Sequence, residues 1–75
     1  MSAKAKQGTH FWFMVIQIPN WGGYCVTSYQ GALTPKLGAT RLDMFNEIRA
    51  DIDEVDPQAR GGAAIAFDIQ LNELP

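Results

Sequence analysis

The segment His10-Phe11-Trp12-Phe13-Met14-Val15-Ile16-Gln17-Ile18 is apolar on both sides of a strand, and no other feature of the chain restricts its fold as tightly. Side chains alternate across a β-strand, so Phe11, Phe13 and Val15 point one way while Trp12, Met14, Ile16 and Ile18 point the other. Each face needs a cover. The rest of the chain supplies one amphipathic helix, enough for one face. The second face is a candidate contact surface for another copy of the chain or for another protein. With 75 residues the chain makes a single domain, and such a domain buries only about 60% of its unfolded surface, which leaves a lone core marginal.

The remaining elements follow from spacing and turn chemistry. After Pro19, the run Asn20-Trp21-Gly22-Gly23 is a turn, and Tyr24 to Gln30 is rich in β-branched and aromatic residues, a second strand open to continuation through Leu33. The short connection makes the pair an antiparallel hairpin. Thr40 with Asp43 three residues on forms a helix start, with Asp standing where Glu or Gln is commoner. Leu42, Phe45, Ile48, Ile52 and Val55 then recur at three- and four-residue steps, and Pro57 ends the helix. Gln58 to Gly62 reads as a loop. Ala63 to Leu71 is a one-sided strand, with Ile65, Phe67, Ile69 and Leu71 alternating against Ala64, Ala66, Asp68 and Gln70. The expected fold is therefore α+β, in the order ββαβ. A right-handed helix connection sets strand three parallel to strand two. That gives a three-stranded antiparallel sheet of order 2-1-3 with one helix on one face. Residues 1–8 are expected as a disordered basic tail, and residues 9–75 as the domain.

Composition excludes several function classes. Hydrophobic residues are 47% of the chain and charged residues 19%, a globular balance. No apolar run approaches the roughly 20 residues of a membrane-spanning helix. The N-terminus lacks a signal-peptide pattern, and the single cysteine, Cys25, fits a reducing compartment, so a cytoplasmic protein is expected. Residues 1–41 carry +4 and residues 42–75 carry −6, because all eight acids lie in the second half. A nucleic-acid binder shows a basic stripe. This folded part is acidic, which disfavours such binding.

Few side chains suggest chemistry. His10 and Cys25 are the only residues of their kinds, but the hairpin sets them roughly 24 Å apart within one chain, too far for a nucleophilic pair. His10 is expected at a strand end, partly exposed, and Cys25 as a small packed side chain. Asp43, Glu47, Asp51 and Glu54 stack along one helix face, either as a solvated surface or as a dock for a basic partner. The stretch from Asp51 to Asp56 fails as a calcium loop: Asp56 replaces the needed glycine, and Gly62 stands where the bidentate glutamate belongs. The pairs Gly22-Gly23 and Gly61-Gly62 are turns, since no phosphate-binding loop leads from a strand into a helix. No catalytic residue, metal ligand or cofactor site is expected. Trp21 at the hairpin tip is either an exposed anchor or folds back over the sheet edge.

The sharper expectation concerns the uncovered face. The sequence leaves open which set meets the helix, and Trp12, Met14 and Ile16, with Trp21, are taken as the interaction residues. At about 25 cal/mol per Å², covering ~300 Å² on each of two subunits is worth roughly 15 kcal/mol before association costs. The tail, or the loop carrying Leu33, Pro35 and Leu37, is the alternative cover.

His10-Phe11, Thr34-Pro35, Gly38-Ala39-Thr40-Arg41, Ile48-Arg49-Ala50 and the ending from Phe67 to Leu74 carry a resemblance over nearly the whole chain outside the tail. On these motifs the chain resembles a group of small uncharacterised actinobacterial proteins of Streptomyces type, several associated with mobile or phage-like elements. It departs from them in the bulk of Trp12 and Met14 and in the Trp21 loop. The resemblance implies a setting and no activity. The expected function is a non-enzymatic protein–protein interaction module that homodimerises through an apolar sheet face or edge. One alternative is an acidic inhibitor or nucleic-acid mimic that presents the helix carboxylates to a basic partner. The other is a small-molecule-binding or enzymatic dimer with a site at the subunit interface, where His10 meets residues of the second chain.

Overall fold

A computed structural model of the chain describes residues 7–74. The expected tail falls largely on residues 1–6, outside the described residues. Strands β1 (His10–Asn20), β2 (Gly23–Leu33) and β3 (Ala63–Leu71) form one antiparallel sheet in the order β2-β1-β3, and the helix α1 (Arg41–Val55) packs on one side. The expected ββαβ fold is the observed one.

Local chemistry explains each boundary. Trp21 and Gly22 alone connect β1 to β2, because Asn20 already pairs with Gly23. Gly22 has φ 76°, a backbone position that side chains resist. At the helix start, the Asp43 N–H donates to Thr40 Oγ1 at 3.1 Å and the Thr40 N–H donates to Asp43 Oδ2 at 3.0 Å, a complete capping box built with the shorter acid. At the far end the Asp56 N–H donates to the Ile52 carbonyl. Pro57 then opens a short 3-10 helix, Pro57–Gly61, where the sequence suggested a loop. The Asp56 carboxylate caps it by accepting from the Gln58 N–H.

Packing decides which face of β1 the helix covers. Met14, Ile16 and Ile18 are buried against Met44, Ile48, Ile52 and Ala59, with Trp12 partly buried beside them. Met14 and Ile16 are therefore core residues and not interaction residues, which corrects the expectation. Trp12 packs over Gly31 of the neighbouring strand, where a Cβ would come within 3.0 Å of the indole ring. On the helix, the contact stripe is Met44, Ile48 and Ile52. Leu42 lies about 120° round the helix from Ile48 and is exposed, as is Val55 at the last position.

The third strand departs from simple alternation. Val15 pairs with Ala66 and Ile16 with Ala64, so Ile65 and Ala66 together oppose one residue of β1. This β-bulge switches phase along the strand. Ala64, Phe67 and Ile69 pack on the core, while Ile65 is 54% exposed. The expected one-sided set of Ile65, Phe67, Ile69 and Leu71 is thereby split. Just before the bulge, Gly62 lies against β1: a Cβ there would meet Ile16 Cγ2 at 2.5 Å and the Gln17 carbonyl at 2.8 Å. No helix among the described residues is long and apolar enough to cross a membrane.

Candidate interaction surface

The strand register defines the uncovered side of the sheet. Antiparallel partners point to the same side, so Phe11, Phe13, Val15, Gln17 and Pro19 of β1 share a face with Ala32, Gln30, Ser28, Val26 and Tyr24 of β2. On β3 the same face carries Gln70, Asp68 and Ala66. Apolar groups on it are open to solvent: Phe11 is 39% exposed, Val26 58% and Tyr24 69%. Phe13 and Val15 are half-buried by their neighbours alone. The loop expected as an alternative cover stays away. Leu33 packs towards the helix side, and Leu37 is fully exposed.

This face is almost free of charge. Its one carboxylate, Asp68, accepts from Arg41 Nη2 at 3.4 Å and from Gln70 Nε2, so it is already countered. The amides of Gln17, Gln30 and Gln70 add polarity without net charge. Trp21, at the tip of the hairpin, is 100% exposed and does not fold back over the sheet edge. The hairpin tip and the end of α1 flank an open concavity of about 710 Å³ lined by Ile18, Pro19, Cys25, Thr27 and Asp56 among others.

The helix side presents the opposite character. Asp43, Glu47, Asp51 and Glu54 are all exposed along one face of α1, and no cation pairs with any of them among the described residues. Asp43 is also engaged in the helix cap. Two polar links that the sequence reading missed tie α1 to its surroundings. Arg49 donates from Nη2 to the Ala59 and Gly62 carbonyls, each at 2.8 Å, and from Nε to Asp53 at 3.1 Å. Tyr29 donates its hydroxyl to Asp56 Oδ2 at 2.7 Å, and this bond, with burial second, pushes its pKa up to about 12. Neither link had a motif to announce it, because both depend on the 3-10 turn.

His10 and Cys25 stay apart. His10 pairs with Leu33 and Cys25 with Ile18, eight ladder positions away, or about 27 Å. His10 is half-buried and its Nδ1 shares a 2.8 Å hydrogen bond with Thr9 Oγ1. Cys25 is exposed, not packed, and lines the open concavity beside Asp56. No cluster of three or more His, Cys, Asp or Glu side chains among the described residues is arranged to hold a metal ion. In comparisons with known proteins, no family model, no curated protein and no solved structure matches the chain.

Proposed function

We propose that the chain is a non-enzymatic interaction module that self-associates through the open side of its sheet. The observation that carries this reading is the apolar patch of Phe11, Phe13, Val15, Tyr24 and Val26 on a face without net charge, with α1 on the opposite side. A second copy suits this face because a two-fold contact sets the same neutral surface against itself. Stacking sheet to sheet also turns the acidic helix faces outward, where like charges are farthest apart. Three strands of this length cover about 34 Å by 14 Å, close to 500 Å² per copy, so one such contact buries about 1,000 Å². That sits at the lower limit for a specific interface and fits a dimer that dissociates on dilution. A cytoplasmic setting belongs to the same proposal.

Sedimentation velocity over a concentration series tests it. The wild-type chain associates in the micromolar range, and Phe13→Glu, which buries a carboxylate in the contact, shifts dissociation at least tenfold towards higher concentration. A wild-type chain that stays monomeric throughout that range refutes the reading.

A further inference from the structure

The sheet has two edges, and they are built differently. The edge formed by β3 is interrupted by the bulge at Ile65 and Ala66, and Arg41 of α1 reaches round it to Asp68. Such features keep an edge strand from pairing with other chains. The edge formed by β2 has none of them. Gly23–Leu33 contains no charged residue and no proline, and its ladder to β1 runs through eleven pairs without a register shift. Among the described residues, β1 is its only strand neighbour, and no loop backbone bonds to its outer side.

We infer that this β2 edge is a strand-pairing site, and that its occupant is β2 of a second copy, antiparallel to the first. An uncharged strand meets itself without setting like charges opposite each other. Full overlap of the eleven residues places Ser28, the central residue, opposite its own counterpart on the two-fold axis. The joined sheet has six strands, with both helices on one side and both open faces continuous on the other.

This inference rests on the proposed sheet-face contact and deepens it through area. A three-stranded face offers about 500 Å², at the limit of a specific contact, whereas the six-stranded face offers about 1,000 Å² per pair. Two such pairs stacked face to face bury about 2,000 Å², the size of a stable interface. The assembly is then a tetramer with two kinds of two-fold contact, an edge and a face.

Residue-resolved amide hydrogen exchange on the full wild-type chain, combined with sedimentation, separates the two contacts. In a lone sheet every second amide of β2 faces outward and exchanges freely. With the edges paired, all amides from Tyr24 to Ala32 are protected, the outward set by at least tenfold, at concentrations where the chain associates. The expected wild-type species is a tetramer, and Phe13→Glu leaves a dimer that keeps the protected β2 edge. A wild-type dimer dispersed by Phe13→Glu, with alternate β2 amides exchanging freely, overturns the edge pairing while the face contact stands. A dimer indifferent to Phe13→Glu, with β2 fully protected, supports the edge and removes the face. A wild-type monomer overturns both. The wild-type exchange pattern decides the edge even if Phe13→Glu fails to fold.

Discussion

On the helix side of the sheet, Met14 and Ile16 are fully buried, whereas on the other side Phe11, Tyr24 and Val26 meet solvent, although the central strand β1 carries large apolar side chains on both. Hydrophobicity alone therefore does not make a core. The helix side has a lid, and directional bonds hold the lid in place: Arg49 to two carbonyls near the 3-10 turn, and Tyr29 to the Asp56 carboxylate. Among the described residues, the open side has neither lid nor cross-element bonds apart from the Arg41–Asp68 pair at its margin. Changes on the helix side should lower stability at any protein concentration. Changes on the open side should lower association and leave the monomer nearly as stable as before.

The largest difference is expected in the packed core. Ile16→Ala removes a fully buried side chain beneath α1 and should cost about 3 kcal/mol, within the usual range for large-to-small core changes. Val15→Ala, one residue along and on the open face, should cost under about 1 kcal/mol once the protein is dilute enough to be monomeric. Urea unfolding at two protein concentrations checks both. Equal losses for the two variants in the monomer would erase the distinction between the faces.

The two faces differ also in how far the sequence announced them. The two-sided apolar pattern of β1 and the single capped helix together left one face without a helix to cover it, and the order 2-1-3 followed from the short hairpin and the handed crossover. Which face stayed open was not readable. Both sets in β1 are similar in bulk, and the choice depends on where the helix stripe falls. Taking Leu42 and Val55 as stripe members pointed the helix wrongly, because Met44 is the residue that meets the sheet. The bulge was also invisible, since Ile65 continues a perfect two-residue alternation with Phe67 and Ile69. Close packing of Gly62 on Ile16, which brings the chain into β3, precedes the phase change, and nothing in the local sequence distinguishes that glycine from a turn residue.

A smaller effect sharpens the role of the bonds that hold the lid. Arg49→Leu keeps much of the side chain's packing but removes the donors to the Ala59 and Gly62 carbonyls. Because the Arg49 side chain is only 19% exposed and carries a charge, the loss should be about 2 kcal/mol, read from denaturant unfolding. Exchange of the Gly62 and Ala63 amides should also quicken, since the 3-10 turn loses its tie to α1. A loss confined to association, with monomer stability unchanged, would place Arg49 with the open face instead.

The smallest effect comes from Tyr29, and pH isolates it. Tyr29→Phe leaves the ring in place and removes one hydrogen bond to Asp56, worth about 1 kcal/mol at neutral pH for a partly exposed pair. The tyrosine pKa is raised to about 12 in the folded chain, first by that bond and then by burial, whereas the unfolded value is about 10. A raised pKa means that the folded state holds its proton more tightly than the unfolded state. The contribution is therefore complete below pH 10 and disappears as the pH climbs towards about 12, where a phenolate would face the Asp56 carboxylate. The stability difference between wild type and Tyr29→Phe should be constant from pH 7 to 9.5 and shrink steadily above pH 10. Ultraviolet titration of the phenolate should show one tyrosine ionising late in the wild type and none in the variant. If the two stability curves stay parallel across pH 10 to 12, the Tyr29–Asp56 bond is not what ties β2 to the end of the helix, and packing alone must hold the lid on that side.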